Sequence, residues 1–160
     1  MKRSILLLTM VLAGFQSTFA QNKKSASAIL TEYLNSVGTT SAQNTASYFA
    51  KDGSIELPYL ASFGMQDKFT GQDAIIEVVS GLLKNAPNFR MKNIKIIAST
   101  NDTVFAEYDS EATIVNGRTY NQHYMGYAII KNGKIVLHRE VMNTVNMVRA
   151  LFPNGLKDIE

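Results

Sequence analysis

The sequence predicts an α+β domain in which helices cover one face of a mostly antiparallel sheet. Three observations carry this. Before residue 90, apolar residues recur at helical spacing, at Ile29, Tyr33 and Val37 and again at Ile75, Ile76, Val79, Leu82 and Leu83. From Met91 onward the chain reads as a run of strands. Two Asn-Gly pairs, Asn116-Gly117 and Asn132-Gly133, interrupt that run, and Asn-Gly between strand patterns is the strongest short hairpin signal.

The elements follow in order. Residues 1–20 read as an export leader: Lys2 and Arg3, an apolar run from Ile5 to Phe15, then Thr18-Phe19-Ala20 as a small-x-small cleavage signal. The run is short for a bilayer span, so cleavage rather than anchoring is expected, and the protein is expected in the periplasm or outside the cell. Residues 21–25 form a polar tether, and a single domain spans 26–155. A helix is predicted over Ala26–Ser36, stopped by Gly38, and a second over Ser41–Ala50. A strand covers Gly53–Leu57, ended by Pro58. Tyr59–Thr70 is an aromatic-rich loop. Thr70-Gly71-Gln72-Asp73 reads as a capping box opening a helix that runs through Lys84. Strands follow at Met91–Ser99, Val104–Val115, Arg118–Lys131 and Lys134–Met142. A short helix over Asn143–Phe152 closes the domain at Pro153.

Charge and cysteine content exclude several functions. The whole chain carries +3, but the leader holds two bases and no acid, leaving 14 bases against 13 acids. That balance, with no clustered basic patch, gives no nucleic-acid footprint. Cysteine is absent, so neither disulfides, thiol catalysis nor cysteine-ligated metal enters, and the core alone must hold the fold.

The hairpins place chemistry. A two-residue turn at Asn132-Gly133 sets Tyr127 opposite His138, Met125 opposite Glu140 and His123 opposite Met142. A two-residue turn at Asn116-Gly117 sets Tyr108 opposite Met125 and Ser110 opposite His123. One face then gathers both histidines, His123 and His138, with Glu140, Tyr108, Met125, Tyr127 and Met142. The other face carries Glu107, Asp109, Glu111, Gln122 and Arg139, together with Ile130, Ile135, Leu137 and Val141. His138 and Glu140 share a face in any register, being two apart on one strand, whereas a bulge would move His123.

Several stretches resemble the SnoaL-like branch of the nuclear-transport-factor-2-like superfamily. They are Tyr48-Phe49-Ala50-Lys51-Asp52-Gly53-Ser54-Ile55-Glu56, the helix opening at Thr70-Gly71, and Asn132-Gly133-Lys134-Ile135-Val136-Leu137-His138-Arg139-Glu140. The run Arg139-Glu140-Val141-Met142-Asn143, with Arg149-Ala150-Leu151 after it, is similar to the PhzA/PhzB proteins of phenazine biosynthesis, with Val141 where they carry an aromatic. The resemblance implies a cone-shaped fold, three helices on a strongly curved sheet with a pocket between, usually a dimer, and an acid–base role for Glu140. Ketosteroid isomerases share the fold. Their helix-1 tyrosine falls on Tyr33, but their general-base aspartate falls on Leu57 and their second acid near Met125 or Gly126, so both of those acids are missing. Scytalone dehydratase, another relative, uses paired pocket histidines.

The candidate catalytic residues are therefore Glu140, His138 and His123. Tyr33, Tyr108, Met125, Tyr127, Met142, Tyr59, Phe63 and Phe69 are candidates for lining a site for a small apolar, cyclic or aromatic molecule. Each has a plainer reading: Glu140 paired with Arg139 or His138 at the surface, Tyr33 as helix core, Phe63 and Phe69 as a lid on the core. Two imidazoles and a carboxylate can ligate zinc, but neither the spacing nor the resemblance asks for it, so no metal and no cofactor is expected. Three functions remain open: an acid–base enzyme, a non-catalytic small-ligand binder and an interaction dimer.

Overall fold

The computed structural model describes residues 24–158; the expected leader and the start of the tether lie outside them. Helix α1 spans Ala26–Ser36, capped by Ser25, whose hydroxyl accepts from the Ala28 amide at 3.2 Å. Helix α2 is short, Ala42–Ala46, capped by Ser41. Strand β1 covers Phe49–Glu56 and β2 Lys68–Thr70, with a 3-10 turn at Pro58–Phe63 between them. Helix α3 spans Gln72–Asn85. Strands β3 (Arg90–Ser99), β4 (Thr103–Glu111), β5 (Gln122–Lys131) and β6 (Lys134–Met142) follow, then helix α4 (Thr144–Leu151). The six strands form one sheet in the order β2-β1-β6-β5-β4-β3, antiparallel except for the parallel pair β1–β6. Among the described residues no helix is long and apolar enough to cross a membrane.

The helices cover one face. α1 packs on β3, β4, β5 and β6, and α3 on α2, β1 and β2. Ile29, Leu30, Tyr33 and Leu34 of α1 are buried against Phe49, Val104, Tyr108, Ala128 and Ile135. This is the fold class the sequence predicts, with local corrections: β4 ends at Glu111 and β5 begins at Gln122, each four residues short of the predicted strand ends beside Asn116-Gly117, and Lys68–Thr70 of the predicted loop forms β2. The second helix is cut short because Phe49 is taken into β1, where it is fully buried. The capping box at Thr70 does not form. Thr70 ends β2, and Gly71 takes the N-cap place at φ +89 with no side-chain cap.

Register is where the structure departs most from the sequence reading. Asn132 (φ +51) and Gly133 (φ +76) do form a tight turn, with Lys131 opposite Lys134 and Ile130 opposite Ile135. One residue later the ladder slips: Ile129 faces Leu137, leaving Val136 as an extra residue in β6. Beyond the bulge Ala128 faces His138, Gly126 faces Glu140 and Tyr124 faces Met142. The β4–β5 connection slips as well. The Ile114 amide bonds to the Arg118 carbonyl at 2.8 Å, closing a three-residue loop that ends on Gly117 at φ +85. Tyr108 therefore faces Tyr124, and Asp109 faces His123.

Because side chains alternate along a strand, each one-residue slip reverses a face. Tyr124, Gly126 and Ala128 point into the core with His138 and Glu140, and Gln122 is buried with them. His123, Met125 and Tyr127 go to the outer face. Ile130 and Ile135, expected outside, are buried within the core, while Leu137 and Val141 stay on the outer side, half-buried.

Gly38 shows how tightly α1 meets β3. Its φ is +77, and a Cβ there would run into the carbonyl oxygen of Phe89. Gly38→Ala is expected to lower stability by ~2 kcal/mol through the disfavoured backbone region and the clash together. Urea denaturation checks this; a change within experimental scatter would contradict the packing described.

Candidate functional site

Three side chains on the inner sheet face form one buried polar cluster. The Tyr108 hydroxyl donates to Glu140 Oε2 and lies 3.0 Å from His138 Nε2; the imidazole and carboxylate are 3.7 Å apart. With the phenol proton given to Glu140, His138 donates through Nε2–H and its Nδ1 carries the lone pair. That Nδ1 is buried without a partner among the described residues. His138 is 1% exposed and Glu140 9%. The Tyr33 ring sits edge-on to the imidazole, centroids 5.1 Å apart.

Burial, with no neighbouring lysine or arginine among the described residues, sets the electrostatics. Desolvation pushes Glu140 up from 4.5 to about 7, against the stabilising bond from Tyr108. The same desolvation pushes His138 down from 6.5 to about 4. Burial, with the Glu140 charge beside them, raises the phenols of Tyr33 and Tyr108 well above their ordinary value. Near neutral pH the cluster therefore holds a neutral imidazole and a carboxyl poised to gain or lose one proton.

Glu140 also faces a cavity of about 540 Å³ between the sheet and the helices. α1 supplies Tyr33 and Val37, and α3 supplies Ala74, Val78 and Leu82. The β1–β2 connection supplies Leu57, Leu60 and Met65, with Phe69 from β2. Ile55, Val79, Met142, Tyr120, Met147 and Leu151 add to the apolar lining, and Gln66, Glu77 and Asn85 stand among the exposed residues at its edge. Glu140 presents two different oxygens. Oε2 is held by Tyr108, while Oε1 has no partner among the described residues and is not among the enclosed orphan atoms. The Tyr33 hydroxyl likewise has no hydrogen bond among the described residues, so a guest meets a free acceptor and a free donor. Gly126 makes room beside the acid: a Cβ there would stand 2.8 Å from the Arg139 oxygen and 3.0 Å from Glu140 Cβ.

Of the sequence candidates, Glu140, Tyr33, Met142 and Phe69 line this cavity. His138 and Tyr108 lie behind Glu140 and support it. Phe63 packs on the core edge without lining the cavity, and Tyr59 is 57% exposed beside a shallow dent that shares Glu140 and Met142. The grouping of His123, Met125 and Tyr127 with Glu140 is corrected by the two register slips. His123 bonds Asp109 through Nδ1 at 2.8 Å on the outer face, Met125 is 55% exposed, and Tyr127 lies against Phe105 with Arg139 over its ring. The conceivable zinc trio is thereby split between two faces. Tyr120 and the α3 wall went unassigned in the sequence. A three-residue loop at Val115–Gly117 would have placed Tyr120, Gln122 and Tyr124 inward together.

The sequence model of the SnoaL-like domain family matches residues 30–138. No curated protein matches the sequence. Among solved structures, a phenazine biosynthesis-related protein (phzb2) from Pseudomonas aeruginosa is similar at 25% identity and a TM-score of 0.68, over 79% of this chain and 84% of that one. A nuclear-transport-factor-2-like protein of unknown function from Burkholderia pseudomallei is similar at 17% identity and a TM-score of 0.70, over 81% and 98%. A proposed polyketide cyclase from Xanthomonas campestris pv. campestris is similar at 15% identity and 0.69, over 81% and 98%. The last two likenesses show the fold alone.

The opposed titrations have a signature in stability. Glu140's raised pKa gives a contribution present in full below pH 4.5 and lost as pH rises through about 7. His138's lowered pKa gives one present in full above pH 6.5 and lost as pH falls through about 4. Between 4.5 and 6.5 the two slopes oppose and nearly cancel. Glu140→Gln removes the first, so the variant's stability should rise with pH across that window by up to about 1.4 kcal/mol per unit, more steeply than wild type. Denaturant titrations at several pH values read this, and parallel profiles for the two proteins would contradict it.

Proposed function

The chain belongs to the SnoaL-like family, and we propose that its cavity binds a small, mostly apolar cyclic or aromatic molecule on which Glu140 acts as general acid and base. The observation that carries this is the carboxyl itself: buried at a cavity wall, one oxygen held by Tyr108, the other without a partner among the described residues, with burial pushing it up to about 7. Its free Oε1 is positioned to take a proton from carbon or oxygen of the guest. Tyr33 is positioned to donate to the oxyanion that develops. Tyr108 holds the carboxylate's orientation and His138 holds Tyr108, so neither needs to touch the guest. The likeness to a phenazine biosynthesis-related protein supports a small cyclic substrate, and isomerisation, dehydration and cyclisation all use such a proton transfer.

A non-catalytic binder is the second reading. Leu57 falls where the isomerases carry their base, and His138 does not line the cavity, so Glu140 is the one buried carboxyl among the described lining residues, with the phenols of Tyr33 and Tyr120 beside it. A cyclic ketone such as tetralone separates the readings, because its α-protons exchange with D2O under general-base catalysis. The wild type is expected to accelerate that exchange, and Glu140→Gln to reduce it at least about a hundredfold while still binding the ketone. An unchanged exchange rate in the variant would refute the catalytic role. Binding without exchange in wild type would leave the binder.

We also propose export, with cleavage after Ala20, and self-association through the outer sheet face. Phe105 and Met125 are 50% and 55% exposed there, beside Tyr127, Leu137 and Val141, and contiguous apolar surface of this kind asks for cover. Native mass spectrometry of protein recovered after export reads both at once. The expected mass is twice that of a chain beginning at Gln21; a retained Met1 or a monomer at micromolar concentration would overturn the corresponding half.

A further inference from the structure

The charge on the cavity wall is one-sided. Among its lining residues the charged or chargeable carboxyls are Glu140, deep, and Glu77 on α3, exposed; no lysine, arginine or histidine lines it. Several of the cations elsewhere are engaged. Lys68 and Arg139 pair with Glu56. Arg118 donates to the carbonyls of Arg149, Phe152 and Pro153. With Arg149 it lines a different cleft, which shares only Tyr120 with the cavity. The neutral polar groups on the wall are Tyr33, Tyr120, Gln66 and Asn85.

At a pH above the Glu140 midpoint of about 7, a guest that brings an anion into this space meets like charge and, among the described residues, no counter-ion. At the effective dielectric of about 20 that suits protein sites, like charges several ångströms apart cost more than a factor of ten in affinity. A guest that brings a hydrogen-bond donor meets Glu140 Oε1, an acceptor with no protein donor. A protonated amine there would also relieve the desolvated carboxylate.

Resting on the reading of this cavity as the ligand site, we infer that its ligand is an apolar molecule presenting a neutral or cationic hydrogen-bond donor to Glu140, and that carboxylates, sulfonates and phosphates are excluded. The selectivity comes from Glu140 in the first place, with Glu77 adding a weaker, solvent-screened contribution at the edge.

Three probes of one shape test this: phenylpropylamine, phenylpropanol and phenylpropionate, titrated into the wild-type protein at about pH 9, where Glu140 is ionised and the amine still protonated, with ligand-observed NMR. The amine and the alcohol are expected to bind, and the carboxylate to bind at least tenfold more weakly than the alcohol. In Glu140→Gln the amine should lose its advantage over the alcohol, and the carboxylate should recover severalfold. In Glu77→Gln the order should persist. Equal affinity of carboxylate and alcohol for wild type would overturn the inference while leaving the cavity as the ligand site. Failure of all three to bind would overturn the cavity reading and the inference with it.

Discussion

Val136 has no partner on β5, and that single extra residue in β6 decides what the sheet offers its cavity. Ile135 before it is fully buried, and His138 and Glu140 after it are buried too. In an uninterrupted strand those positions would alternate to opposite faces, and the core could keep Ile135 or Glu140 but not both. The neighbouring strand is built to match. β1 slips between its Phe49–Ile135 and Ser54–Leu137 pairs, and Gly53 lies where a Cβ would stand 2.6 Å from the Ile135 carbonyl oxygen. A close backbone approach that only glycine permits thus accommodates the bulge that turns the acid inward.

Turning Glu140 inward is costly, and the surroundings offset only part of the cost. Tyr108 supplies one hydrogen bond, His138 supports Tyr108, and the rings of Tyr33 and Tyr124 pack around them. His138 Nδ1 has no partner among the described residues, and the desolvation of such a group costs on the order of 1–3 kcal/mol. Among the described residues no arginine or lysine answers the carboxylate, and desolvation pushes it up to about 7 where an ion pair would hold it low. A fold selected for stability alone would place a leucine there. Retaining an acid with one free oxygen toward a cavity is the arrangement that proton transfer requires.

The order of elements was legible because it rests on local signals: helical spacing in α1 and α3, Asn-Gly turns, and the breaks at Gly38, Pro58 and Pro153. The core of the site was legible for the same kind of reason, since His138 and Glu140 stay on one face in any register and Tyr108 shares it. His123, Met125 and Tyr127 were misplaced because their faces depend on counting residues through two turns. The bulge at Val136 answers to packing against β1, and Asn116-Gly117 closes a three-residue loop although the dipeptide also suits a two-residue turn. The cavity wall from α3 was out of reach of the sequence, because its apolar stripe reads the same whether it packs on a sheet or borders a space.

The central claim is that Glu140 is a buried, uncompensated carboxyl held by Tyr108. Carbon-13 NMR of the glutamate side-chain carboxyls across pH, in wild type and in Tyr108→Phe, tests it most directly. A single resonance assigned to Glu140 should titrate at about 7 in wild type and higher in the variant, where the bond that favours the charged form is gone. A Glu140 midpoint near 4.5, unmoved by Tyr108→Phe, would contradict the account.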